Sequence, residues 1–201
     1  MTLIRRKIPL FAALAFAMSL SLPAFAAEAE NFVKGKQTEL SALVSKAKSP
    51  EDEKHLDAAF DAVLDYKNLA IATLESWDQR TPAEREEFTA VLKDLVRNAY
   101  RRNLKKTLGY DVDYKGESDS DAGKIVKTVA HNTKNAREEP VNVDYVVHQV
   151  DGKWLIYDIV TEGSSLIRNY KNQFRRVIQK HGFDELLKRM KAKRDHGGDV
   201  D

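Results

Sequence analysis

The stretch DGKWLIYDIVTEGSSLIRNYKNQF, Asp151 to Phe174, decides the fold. Asp151-Gly152 is a hairpin signal of the kind that needs positive backbone angles. Lys153 to Thr161 reads as a strand, and the short turn Glu162-Gly163-Ser164 hands the chain to a helical pattern. Side chains alternate across a sheet, which sets Trp154 and Ile156 on one face and Leu155, Tyr157 and Ile159 on the other. A sheet packed on one side only has no need of apolar residues on both. Two arrangements absorb the excess: helices on both faces, or helices on one face and an apolar cavity against the other.

Working upstream, Val141, Val143, Tyr145 and Val147 alternate with Asn142 and Asp144 as a third strand, Lys124 to Thr133 forms a second, and Tyr110, Val112 and Tyr114 alternate with Asp111, Asp113 and Lys115 as a first. Polar turns are expected at 117–123 and 134–139. Short connections between neighbouring strands imply an antiparallel meander of four strands.

The flanks are helical. Phe32, Val33, Leu40, Leu43 and Val44 recur at helical spacing, Ser49-Pro50 starts a second helix carrying Leu56, Ala59, Phe60, Val63 and Leu64, and after a kink the stripe continues through Leu69, Ala70, Leu74 and Trp77. Thr81-Pro82-Ala83-Glu84 is a capping box opening a helix with Phe88, Leu92, Leu95, Val96, Tyr100 and Leu104. After the sheet, Ser164 is expected to cap a helix through Leu166, Tyr170, Phe174 and Val177, which Gly182 ends in the left-handed region; Leu186, Leu187 and Met190 mark a last helix. The absence of internal repeats favours an α+β fold in one domain, 27–193, with 194–201 a disordered tail.

At the N-terminus, Arg5, Arg6 and Lys7 precede an apolar run, Ile8 to Leu22, and Ala24-Phe25-Ala26 fits a signal-peptidase site, so 1–26 is expected to be a cleaved leader. That run is shorter than the roughly 20 residues a spanning helix needs. Without the leader, 30 basic residues face 31 acidic ones, a balance that gives no reason to expect nucleic acid as a partner. The chain has no cysteine, which excludes disulfides and thiol chemistry and leaves stability to packing.

Sites of chemistry are scarce. The histidines at 55, 131, 148, 181 and 196 have no metal-ligand spacing, and no phosphate-cradling loop or Gly-x-Ser-x-Gly elbow occurs. No metal, cofactor or catalytic constellation is therefore expected, and His148 and His181 read as ordinary surface or turn residues. Asp158, inside an apolar strand, is costly unless paired. It is expected to be satisfied by backbone donors or a basic side chain, the alternative being a general base in a cavity. Arg97, Arg101, Arg102, Lys105 and Lys106 form either a solvated helix face or a docking surface for an acidic partner or anionic headgroups.

Two stretches carry a family resemblance. WDQRTPAEREEF, from Trp77 to Phe88, with Tyr100 and Leu104 following, and GKWLIYDIVTEGSSLIRNYKNQF with the trailing HGFDELLKRM, resemble the signatures of the MlaC (toluene-tolerance, ABC-transporter auxiliary) family. In the second signature Trp154, Tyr157, Asp158, Glu162, Gly163, Ser165, Tyr170, Phe174 and Gly182 fall at matching places, while Ser164 replaces a more usual small apolar residue. The resemblance implies a curved four-stranded antiparallel sheet of NTF2-like appearance packed with helices around an apolar cavity. It implies a monomeric periplasmic carrier whose cargo, in place of any cofactor, is a phospholipid with its acyl chains inside and its headgroup near solvent. Its implied partners are an inner-membrane ABC transporter with an MCE protein and an outer-membrane lipoprotein complex. Asp158 would then be structural. The expected lining is Phe88, Leu92, Tyr100, Val112, Val143, Tyr145, Val147, Ile159, Leu166 and Tyr170. Open alternatives are a different apolar cargo such as a hopanoid, an enzyme using Asp158, and an interaction module whose apolar face a partner covers.

Overall fold

The computed structural model describes residues 27–196, so the expected leader, 1–26, and positions 197–201 lie outside the described residues. The chain runs α1 (Glu28–Lys46), α2 (Pro50–Asp61), α3 (Tyr66–Thr73), a 3-10 turn (Trp77–Gln79) and α4 (Pro82–Lys106) into the sheet strands β1 (Tyr110–Ser120), β2 (Gly123–Asn132), β3 (Val141–Val150), β4 (Lys153–Thr161) and β5 (Ser164–Ser165), then α5 (Leu166–His181) and α6 (Phe183–His196). The local signals act as their chemistry dictates. Ser49 with Asp52 and Thr81 with Glu84 close capping boxes, each with proline in the first turn. The expected kink is a full break, where the link from α2 to α3 bonds the edge of β4: Ile156 N–H donates to Val63 O at 2.8 Å and Asp65 N–H to Ile156 O at 3.0 Å.

The sheet is a curved antiparallel meander in the order β1-β2-β3-β4-β5, open between its two edge strands. It has five strands, not four, because the backbone after Glu162-Gly163 turns back and pairs Val160 with Ser165 and Thr161 with Ser164. Of the three two-residue turns, two use positive angles at a non-glycine, Asp151 at φ 50° and Glu162 at φ 48°, while Asp121-Ala122 is followed by Gly123 at φ 129°. β1 also runs further than expected. A bulge at Lys115-Gly116, with Gly116 at φ 97°, sets Tyr114 and Glu117 on the same face, and pairing continues to Ser120. Glu117 then accepts from Glu30 N–H at 3.0 Å, so a strand carboxylate caps α1, which has no cap of its own.

A second bulge overturns the simple alternation of β4. Val147 pairs with Ile156 but Val146 with Asp158, leaving Tyr157 as the extra residue. Ile159, opposite Tyr145, therefore shares a face with Ile156 and not with Leu155. On this concave face lie the buried sheet residues Val126, Thr128, Ala130, Tyr145, Val147 and Ile156, and the helical core packs against it. The other face carries Ile125, Val129, Val146, Leu155 and Val160, each only half-buried.

Asp158 falls on that second side of the strand, where its carboxylate clamps the start of α5. It accepts from Ser165 Oγ at 2.6 Å, Ile159 N–H at 2.9 Å and Ile167 N–H at 3.1 Å. Ser165, not Ser164, is the helix cap, accepting from Arg168 N–H at 3.0 Å. Gly182 ends α5 at φ 84°, ψ 173°, an extended positive-φ conformation rather than the left-handed helical one, and one essentially reserved for glycine. α6 continues through Arg194 to His196, one turn beyond the expected start of the tail.

His148 is not an ordinary surface residue. Its Nε2 lies 2.7 Å from Oδ2 of buried Asp65, the cap of α3, and its ring stacks on Tyr157 with centroids 5.1 Å apart. Burial opposes the Asp65 charge, but the Asn68 donors and His148 outweigh it and hold the carboxyl below its ordinary value. A depressed folded-state value contributes stability above the ordinary carboxylate range, lost as pH falls through the folded value. Asp65→Asn is thus expected to lower stability at pH 7 and to flatten its acid dependence between about pH 5 and pH 3. Urea melts across that range check this; parallel curves for the two proteins would contradict it. Asp158→Ala, which strands three donors, should cost about 3 kcal/mol by the same measurement, and an unchanged midpoint would remove the clamp.

Candidate functional site

A cavity of about 600 Å³, partly open to solvent, lies over one end of the concave face. The sheet contributes Tyr110 and Val112 from β1, Thr128 and Ala130 from β2, Val141, Val143 and Tyr145 from β3, and Ile159 and Thr161 from β4. These are the inward positions of their strands, and Ile159 is among them only because of the Tyr157 bulge. Ala99, Tyr100 and Leu104 of α4 and Leu166 and Tyr170 of α5 complete the apolar wall. Polar residues gather where α4 ends and α5 begins: Asn103, Lys106, Thr107, Ser164, Asn169 and Gln173, with Gln37 from α1 and Lys193 from α6.

The polar atoms deeper in the wall are satisfied within the protein. Thr128 Oγ1 donates to Val143 O at 2.6 Å, and Tyr114 OH to Gln37 Oε1 at 2.6 Å. Burial pushes the Tyr100 phenol up to about 12, an effect its hydrogen bond with Tyr145 partly offsets. Burial and the neighbouring Tyr100 push Tyr145 well up too. Both phenols stay neutral at physiological pH, so the inner wall holds no formal charge. Such a surface favours an apolar guest and gives an ion nothing to compensate its lost hydration.

Of the residues expected to line a cavity, Tyr100, Val112, Val143, Tyr145, Ile159, Leu166 and Tyr170 are in its wall. Phe88, Leu92 and Val147 are not: all three are fully buried in the core. Phe88 packs edge-on against Phe174 at 5.5 Å and lies 6.3 Å from Phe183, in the α4–α5–α6 junction. Val147 sits opposite Ile156, at the end of the concave face that the helices cover. An apolar period cannot separate these roles, because core and cavity share one face and differ only in whether a helix fills the space. The sequence reading also missed Ala99 and Ala130. Their small side chains at inward positions were the available sign of space.

The other candidates resolve differently. Asp158 is outside the cavity wall, its oxygens engaged by three donors, so it is not placed as a base for a cavity guest. The basic cluster of α4 divides. Arg97 meets Asp57, Asp61 and Asp94 at 3.4, 3.3 and 2.8 Å, and Arg101 pairs with Glu53, so these two fasten α4 to α2 and do not form a free docking patch. Among the described residues no group of His, Asp and Glu is arranged to hold a metal ion, and no helix is long and apolar enough to cross a membrane.

Comparison with known proteins agrees with this geometry. A family model described as MlaC protein matches residues 37–192. The chain belongs to the MlaC family. It is also similar to the solved structure of a phospholipid-binding protein from Ralstonia solanacearum in complex with a phospholipid, at 26% identity and a TM-score of 0.69, covering 83% of this chain and 97% of that one. The family is one of binding and transport proteins, in keeping with a cavity whose inner wall is apolar and holds no formal charge.

Core and wall should respond differently to a buried charge. Leu92→Glu is expected to cost more than about 4 kcal/mol and prevent folding, whereas Val143→Glu, with the cavity beside it, should retain the helical circular dichroism signal. Equal loss of folding in both would contradict the division between core and cavity.

Proposed function

We propose that this MlaC-family chain is a periplasmic phospholipid carrier, exported by cleavage near Ala27, whose residues 27–193 hold acyl chains in the cavity and leave the headgroup at the polar rim. The observation that carries this reading is a cavity whose inner wall is apolar and without formal charge, in a fold similar to that of a protein solved with a phospholipid bound. Tyr100, Val112, Val143, Tyr145, Ile159, Leu166 and Tyr170 would contact the chains.

The energetics fit a carrier. Burying a methylene contributes about 0.8 kcal/mol, so roughly a dozen buried methylenes supply on the order of 10 kcal/mol. Spontaneous release into water is then slow. Delivery needs an acceptor that receives the tails as they leave. An inner-membrane ABC transporter with an MCE protein at one end, and an outer-membrane lipoprotein complex at the other, are the partners we assign to those steps. The protein itself would do no chemistry on its cargo.

The test is native mass spectrometry of the mature protein from a bacterial periplasm, followed by solvent extraction of what it carries. A one-to-one adduct of diacyl-phospholipid mass is expected, absent from folded Val143→Glu. An apo mass, with no uptake from phospholipid vesicles either, would contradict the carrier reading; a polycyclic lipid in the extract would replace the cargo.

A further inference from the structure

The residues lining the cavity include two lysines and no carboxylate. Lys106 belongs to the last turn of α4 and Lys193 to the last turn of α6, so the two lysines border one cavity from different helices. The contrast with the rest of α4 is sharp. Arg97 and Arg101 are paired with carboxylates of α2, whereas Arg102, Lys105 and Lys106 are exposed and, among the described residues, have no carboxylate within ion-pair distance. The Arg102 charge reaches the wall: burial pushes the Tyr170 phenol up, and Arg102 partly offsets it. This local excess of cations stands out in a chain whose charges nearly balance after the leader, at 30 basic against 31 acidic.

Several groups oppose an anion here. The C-terminal ends of α4 and α6 each present about half a negative charge. Glu138 stands at the rim with its carboxylate on Tyr110 OH at 2.5 Å, and Asp158 offsets the positive end of α5. Against these stand the unit charges of Arg102, Lys105 and Lys106 on two turns of α4. The helix-end charge is partial, and the Asp158 and Glu162 carboxylates are committed to backbone donors, Glu162 to Asn142 N–H. No carboxylate lines the cavity beside Lys106, so the charge a headgroup meets there is positive.

We infer that the rim beside Lys106 selects phospholipids whose headgroup bears a net negative charge, such as phosphatidylglycerol, over zwitterionic phosphatidylethanolamine. The inference rests on the phospholipid-carrier reading and deepens it. Both headgroups present a phosphate to the lysine, but only the zwitterionic one brings an ammonium group into the same cationic rim. The inner wall sees the same tails in either case, so discrimination lies at the rim alone. Rim charges are solvated, which makes the preference modest and sensitive to salt.

The test loads the lipid-free mature protein from vesicles of equal parts phosphatidylethanolamine and phosphatidylglycerol, allows exchange to reach equilibrium, and identifies the bound lipid after extraction. Equilibrium composition reports affinity and not the rate of docking on an anionic surface. The wild type should carry phosphatidylglycerol in about threefold excess, the size of effect that exposed charge pairs produce. The excess should vanish in Lys106→Gln, reverse in the double variant R102E/K106E, and survive in Lys67→Glu, an exposed change on α3 outside the cavity wall. A bound ratio equal to that of the vesicles in the wild type, or an excess that persists in R102E/K106E, would overturn the selection while leaving the carrier reading in place. No uptake of either lipid by any folded protein would overturn both.

Discussion

The extra residue Tyr157 is the constraint on which the arrangement depends. Without it, the strict alternation of a strand would put Ile156 and Ile159 on opposite faces. With it, Ile156 closes the core opposite Val147 while Ile159 faces the cavity opposite Tyr145. The same shift sends Asp158 to the far side, where its carboxylate collects the donors that start α5. One inserted residue thus sets the end of the core, one wall of the cavity and the position of the helix that forms another wall.

Core and cavity are two stretches of one continuous concave surface. Over the Val147–Ile156 end, Leu74 at the C-cap of α3, Phe88 and Leu92 of α4, Phe174 of α5 and Leu186 of α6 belong to one buried cluster. Over the Tyr110–Val141 end the wall includes the small side chains of Ala99 on α4 and Ala130 on β2, which stands across from Val112 and Val141. The missing volume is the cavity. Its neutral phenols and its internally bonded hydroxyl groups keep it hospitable to hydrocarbon, and the formal charges of its lining are confined to two lysines at helix ends.

Much of this was legible in the sequence, for local reasons. Capping boxes, two-residue turns and apolar periods act within a few residues, so the helix starts at Pro50 and Pro82 and the strand 153–161 stand where the residues put them. What was hidden is non-local. The bulge at Tyr157 depends on the register of β3, the second role of Glu117 depends on α1, and the His148–Asp65 contact joins residues far apart in the chain. The pairing of Arg97 and Arg101 with α2 is of the same kind, which is why a run of basic residues looked uniform in sequence and is divided in space. Seven lining residues were named because the concave face is apolar throughout. Phe88, Leu92 and Val147 were misplaced because an apolar period reports burial and not what does the burying.

The most direct measurement is residue-level photocrosslinking with a phospholipid carrying a diazirine on its acyl chain, followed by peptide mapping. The account predicts adducts at Ala99, Val143, Tyr145 and Ile159, and none at Leu155 or Val160, which are equally apolar but lie on the other face. Adducts on Leu155 and Val160 with none on the concave face would contradict it.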